Sequence, residues 1–172
     1  MPPPADAAIC IGMYVFDIST GSKDELYRDL YAAIDAVTAD ERDAIANMAN
    51  VAALLWQYLP DLNWAGFYRM VAGELVLGPF QGKVACIRIA VGVGVCGTAA
   101  QTGATQVVED VHAFPGHIAC DAASRSELVV PVVVDGAVIA VIDLDSPAPA
   151  RFDAADAAGC ERIATLIAAR IA

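Results

Sequence analysis

Apolar residues recur at three- and four-residue spacing over 24–37, where Leu26, Leu30, Ala33, Ile34 and Val37 fall on one stripe. That period predicts an amphipathic helix. A second helix is predicted over 38–59: Ile45, Met48, Ala49, Ala52 and Leu55 share a face, Thr38 and Glu41 have capping-box spacing, and Pro60 stops it. The period then shortens to two. Strands are predicted over 62–70, 74–78, 84–90 and 106–108. Gly92, Gly94 and Gly97 surround Cys96 and lead into a short helix through 99–101. Residues 110–124 read as a long loop, and long irregular segments inside compact domains are usually functional. Two very apolar strands, 127–134 and 137–145, form a hairpin around Asp135-Gly136. A closing helix spans 153–172, with Asp153 as its cap, Asp156 in its first turn and Arg170 in its last. Helices, interrupted strands, a hairpin and a final helix imply an α+β layered domain whose sheet is at least partly antiparallel.

The chain has 172 residues, enough for one domain with a sizeable core. Its 58% hydrophobic content reflects many alanines, and no apolar run approaches the roughly 20 residues of a spanning helix. No Lys or Arg precedes the apolar run 7–16, so a secretory leader is not expected and the cytoplasm is the expected compartment. A net charge of −11 argues against a nucleic-acid partner. Five cysteines is an odd count, which in a reducing compartment points to reactive or buried thiols and away from a disulfide scaffold.

Cys160 lies on the apolar stripe of the last helix, and Cys10 is flanked by isoleucines; both read as packing residues. Cys86, Cys96 and Cys120 differ, because each sits among glycines and polar residues, as loops and strand ends do. A thiol that reduces a substrate by two electrons needs a second thiol to restore it. A zinc site built from these cysteines with His117 or His112 is the competing reading. The gaps are far wider than the close cysteine pairs of structural zinc sites, so neither metal nor cofactor is expected.

Glu127, Asp143 and Asp145 end two apolar strands, where charge is costly unless it is solvated or used. Register decides whether they meet. A two-residue turn at Asp135-Gly136 without a bulge sends Glu127 to the opposite face. A three-residue loop over 134–136, or a bulge at Pro131, brings all three to one side. One of the latter is expected. Crowded carboxylates should then raise each other's pKa and keep a proton. Trp64 and Tyr68, four apart on the first strand, share a face and can form an aromatic wall for a small apolar group.

The strings NWAGFY, LGPFQGKVAC, GVCGTAAQTG, VVEDVHAFPGHIACDAASRSELVVP and VIDLDSP resemble the free methionine-(R)-sulfoxide reductases, a catalytic branch of the GAF domain family. The resemblance runs from about Ala46 to the C-terminus; Ala65 replaces a larger residue of the first-strand motif. It implies a single GAF domain over 23–172 after an N-terminal segment 1–22, with a central six-stranded antiparallel sheet flanked by helices. It implies free L-methionine (R)-S-oxide as substrate, Cys120 as catalytic thiol, Cys86 as main resolving thiol and Cys96 as a third redox cysteine. Trp64, Tyr68, Glu127, Asp143 and Asp145 are the implied substrate contacts, thioredoxin the implied reductant and a homodimer the implied assembly. The substrate's ammonium suits a carboxylate, and backbone N–H groups of the 121–124 turn suit its carboxylate. The rival readings are a non-catalytic GAF sensor and a thiol redox switch.

Overall fold

The computed structural model describes residues 21–116 and 121–172. Cys10, His117 and Cys120 lie outside the described residues. Helix α1 (Lys23–Thr38) opens on a capping box that the sequence reading missed, with the Ser22 hydroxyl and the Glu25 carboxylate serving each other's backbone N–H. Helix α2 (Ala44–Tyr58) starts later than predicted, capped by Asp43, which accepts from the Ala46 N–H. Thr38 is not its cap. Thr38 closes α1 by donating to the Ile34 carbonyl at 2.7 Å, while Glu41 accepts from the N–H groups of Arg42 and Asp43.

Six strands follow: β1 (Trp64–Val71), β2 (Glu74–Gly82), β3 (Arg88–Ala90), β4 (Gln106–Val108), β5 (Ser126–Val134) and β6 (Ala137–Ser146). They form one antiparallel sheet in the order β3-β2-β1-β6-β5-β4. Helix α3 (Gly94–Thr102) lies between β3 and β4, and α4 (Ala154–Ile171) closes the chain. The expected strand over 84–90 shrinks to β3, because residues 83–87 leave the sheet with Val84 88% and Ile87 71% exposed. Conversely, β2 outruns its predicted end at Gly78 and continues to Gly82.

Alternation along the strands divides the interior in two. Ala65, Phe67, Leu128, Val130, Ile142 and Leu144 face α1, α2 and α4 in the larger core. Trp64, Tyr68, Val129 and Val141 point the other way, toward α3 and the loops. Helices α1 and α4 are joined by Asp156, which is buried and fully partnered. It accepts from Tyr27 Oη at 3.0 Å, from Lys23 and Arg151, and from the Asp153 N–H that completes the α4 capping box.

The hairpin register settles whether the acidic residues converge. Asp135 and Gly136 both have positive φ, 49° and 79°, and form a two-residue turn with Val134 facing Ala137. The shift comes from a bulge in β6. Val133 faces Val138 but Val132 faces Ala140, leaving Ile139 as the extra residue. The bulge is therefore present but not at Pro131, which pairs regularly with Val141. Pro131 lies beyond the last β4 partner of β5, Val129, where β5 has a neighbour on one side only and a missing N–H is tolerated.

Close α1–α4 packing makes a testable demand at Gly159. A Cβ there would lie 2.3 Å from the Tyr27 ring, a ring buried in the core. Alanine should gain up to about 1 kcal/mol of helix propensity. Overpacking against a fixed ring costs about 1–3 kcal/mol and should win. Gly159→Ala is expected to lower the midpoint of thermal unfolding; an unchanged or raised midpoint would show that the two helices can part without cost.

Candidate active site

Strand pairing places the chemistry on the face away from the three large helices. Glu127 of β5 faces Asp145 of β6, and Asp145 in turn faces Trp64 of β1. Two residues along, Val129 faces Asp143, which faces Gly66, and Tyr68 faces Val141. The expected trio thus converges, with Glu127 opposite Asp145 and diagonal to Asp143, where the three-residue loop would have set it opposite Asp143. Gly66 fits because its strand neighbour comes close: a Cβ there would stand 2.4 Å from the Phe80 Cβ. The aromatic wall has three members. Trp64 stacks on Tyr68 at 5.8 Å and on Phe80 at 5.2 Å between ring centroids.

Trp64, Tyr68, Glu127, Asp143 and Asp145 line one pocket, together with Lys83, Val84, Ala85, Cys96, Asp121 and Ser124. Its floor is unusually acidic for a buried surface. Glu127 and Asp143 are each only 6% exposed, and Asp143 Oδ1 has no hydrogen-bond partner among the described residues. Burial, then the charges of Asp143 and Asp145, push the Glu127 carboxyl far above its usual range. Burial and the Asp143 charge do the same to Asp145. Burial pushes Asp143 up to about 7, opposed by hydrogen bonds from Cys96 and Glu127. Like charges this close cannot all ionise, so the cluster holds protons near neutrality.

The cysteines separate by environment. Cys96 is not in a loop. It sits in the first turn of α3, buried, with Sγ 4.0 Å from Glu127 Oε1. Burial, then the negative charges of Asp143 and Glu127, push its thiol well above the usual value. Cys96 therefore stays a neutral thiol within the acid cluster. Cys86 is half-buried in the 83–87 strap, whose backbone is pinned to the aromatic wall: Trp64 Nε1 donates to the Lys83 carbonyl at 3.2 Å and Tyr68 Oη to the Cys86 carbonyl at 3.1 Å. Cys160 is buried in the core beside Tyr27 Oη, as its stripe position predicts.

A second cluster, missed in the sequence, joins the strap to the chain after position 120. Lys83 Nζ lies 3.0 Å from Asp121 Oδ2, and Asn63 Nδ2 donates to Asp121 at 3.3 Å and to Ser124 Oγ at 3.0 Å. Ser124 also hydrogen-bonds Asp145. The 121–124 turn spends two of its N–H groups on itself: Ala123 N donates to Asp121 Oδ1 and Ser124 N to the Asp121 carbonyl. It offers fewer free N–H donors to a ligand than the sequence reading expected. Lys83 could have been singled out as one of only two lysines, placed in the glycine-rich string before Cys86.

The zinc alternative finds no support from His112, which is exposed and hydrogen-bonds Asp110 at 2.9 Å through Nδ1. Among the described residues, the group compact enough to hold a cation is Cys96, Glu127 and Asp143, whose donor atoms lie within 4.8 Å of one another. Two of those donors are acids whose affinity for a proton is raised by burial, so the arrangement suits proton sharing. No helix among the described residues is long and apolar enough to cross a membrane.

The GAF domain family matches residues 38–172. The free methionine-R-sulfoxide reductase of Escherichia coli is 51% identical over 142 residues, spanning 83% of this chain and 86% of the relative. The enzyme of the same name from Saccharomyces cerevisiae is 44% identical over 154 residues, 85% of this chain and 86% of the relative. The solved structure of free methionine-R-sulfoxide reductase from Neisseria meningitidis, in complex with its substrate, superposes with a TM-score of 0.89 at 46% identity, covering 92% of this chain and 96% of that one. A six-stranded antiparallel sheet, a pocket of two buried carboxyls and a half-buried third beside an aromatic wall, and these likenesses together make this chain a member of the GAF domain family, on its enzymatic free methionine-R-sulfoxide reductase branch.

Proposed function

We propose that this protein reduces free L-methionine (R)-S-oxide to L-methionine, with Cys120 as nucleophile, Cys86 as resolving thiol and thioredoxin as electron donor in the cytoplasm. The observation that carries the reading is the buried acid cluster facing an aromatic wall inside one small pocket. Sulfoxide oxygen leaves poorly until it is protonated, and a carboxylic acid kept neutral at physiological pH can protonate it. Glu127 is the proton donor in this reading. Asp145, close to Ser124 and Asp121, takes the substrate ammonium, and Trp64 and Tyr68 contact the S-methyl group.

The steps balance as follows. The Cys120 thiolate attacks the sulfoxide sulfur while the oxygen takes up a proton, and the resulting hydroxyl passes from the substrate sulfur to Cys120 Sγ as the new S–S bond breaks. Methionine departs, reduced by two electrons, and Cys120 is left as a sulfenic acid. The Cys86 thiol displaces the sulfenic hydroxyl, giving a Cys86–Cys120 disulfide and water. A thioredoxin dithiol then reduces that disulfide by exchange. Two features support this division of labour. Cys86 lies three residues after Lys83, Cys120 directly precedes Asp121, and Lys83 and Asp121 are ion-paired at 3.0 Å. Cys96, held neutral by its surroundings, suits an auxiliary role better than the primary attack.

With thioredoxin, thioredoxin reductase and NADPH, the free (R)-sulfoxide is expected to drive NADPH consumption, and Cys120→Ser to abolish it. Binding of the sulfoxide without NADPH loss would make the protein a sensor; turnover surviving Cys120→Ser would remove the nucleophile.

Activity should also depend on the protonated acid cluster. Burial and the neighbouring carboxylates raise the Glu127 pKa well above its usual range, so the donor proton is present at low pH and is lost as pH rises through that raised value. At saturating reductant, the single-turnover rate of Cys120 oxidation is expected to fall over the same rise. Glu127→Gln should lower the rate by about 10²–10⁴-fold. A flat profile, or an unchanged rate in Glu127→Gln, would take proton donation away from this residue.

A further inference from the structure

A free amino acid brings two opposite charges on one carbon, and a pocket that takes it must answer both. The negative side is plentiful: Asp121, Glu127, Asp143 and Asp145 all line the pocket. Among the described lining residues the positive side is a single group, Lys83. Three backbone donors near it are engaged: Ala123 N and Ser124 N close the 121–124 turn on Asp121, and Arg125 N donates to the Ser146 carbonyl at 2.7 Å.

The charges are also ordered. Hydrogen bonds run from Lys83 to Asp121, from Asn63 to both Asp121 and Ser124, and between Ser124 and Asp145. Asp143, Glu127 and Cys96 lie at the other end of this series. The pocket therefore has a cation on the Asp121 side, linked through Asn63 and Ser124 to Asp145, and acids grouped at the other end. Asp121 is the partner found for Lys83 Nζ among the described residues, with contacts of 3.0 and 3.3 Å to its two oxygens. An ammonium carries three N–H donors, so a single carboxylate does not exhaust it. The side chain is 70% exposed, so its outer donors can reach a ligand at the mouth.

We propose that Lys83 is the specificity-determining contact for the substrate's α-carboxylate, held in position by Asp121 and Asn63, and that it confines the site to the free amino acid. The proposal rests on the free methionine sulfoxide reading above and names the charge that reading leaves unanswered. A methionine sulfoxide within a polypeptide has an amide in place of the carboxylate and gains nothing from this cation. A charge-assisted hydrogen bond at a partly desolvated mouth should separate acid from amide by about 10- to 100-fold.

The test measures, by calorimetry, binding of L-methionine (R)-S-oxide and of its carboxamide, which keeps the ammonium and loses the negative charge. Cys120→Ser protein serves as the background so that nothing turns over. The acid is expected to bind about 10- to 100-fold more tightly than the amide. Adding Lys83→Met should narrow the gap to within a factor of about three, by weakening the acid and leaving the amide unchanged. Lys83→Arg should restore most of it. Equal weakening of both ligands would overturn the proposal, since it would mean that the lysine only braces the strap. An unchanged acid affinity in Lys83→Met would overturn it as well. If the background protein binds neither ligand, the substrate reading itself falls; if it binds the acid tightly and the gap survives Lys83→Met, only the role of Lys83 falls.

Discussion

Three carboxyl groups held side by side, two of them buried, are an unfavourable thing to build, and the fold forces them together through one extra residue. Ile139 bulges out of β6 and shifts the hairpin register by one, so that Glu127 and Asp145 turn to the same face as Asp143. A regular hairpin from the same turn would place Glu127 against the helices instead. Burial of unpaired charge is costly, and the cluster avoids that cost by retaining protons. Folded carboxyls with raised pKa values bind protons that the unfolded chain releases, so this part of the structure loses stability as pH rises from the ordinary carboxylate range toward neutrality and beyond. The acidic strain is tolerated because stability is supplied elsewhere.

That supply lies on the opposite side of the sheet. Phe67, Leu128, Ile142 and Leu144 are completely buried against α1, α2 and α4. Two buried aspartates show the contrast between the faces. Asp156 answers Lys23, Arg151, Tyr27 and a helix N-terminus, and joins two helices. Asp143 has an unpartnered oxygen among the described residues and acidic neighbours. The first is satisfied by the protein, and the second keeps an oxygen open in the pocket lining. The candidate site therefore occupies the face opposite the larger core.

Much of this was readable from the chain alone. Period-3.6 stripes located α1, α2 and α4, and alternation located β1, β4 and the hairpin. Asp135-Gly136 marked its turn. The acidic trio was identified because charge at the ends of apolar strands needs a reason. The errors have physical causes. Thr38 has the spacing of a cap, but its hydroxyl turns back to the Ile34 carbonyl, and Asp43 takes the capping role. Residues 84–87 read as strand because they are apolar, yet they form an exposed strap, and apolarity alone does not pair a backbone. Cys96 sits among glycines like a loop residue, but those glycines let α3 approach the sheet: a Cβ at Gly97 would meet the Ala90 carbonyl at 2.4 Å. A bulge was anticipated, but Pro131 drew attention from Ile139, because a bulge at a residue with an N–H leaves no mark in composition. Lys83, Asn63 and Ser124 were missed because they act through contacts between distant segments, which local patterning does not record.

The claim on which the mechanism turns is that the pocket holds a proton on its acids when the solvent is neutral. Infrared spectroscopy of the folded protein reads this directly, since a protonated carboxyl and a carboxylate absorb apart. The account predicts a protonated-carboxyl band from buried groups at pH 7, one that disappears on further alkalinisation and loses intensity when Glu127, Asp143 or Asp145 is replaced by its amide. A spectrum at pH 7 showing these side chains only as carboxylates would contradict it.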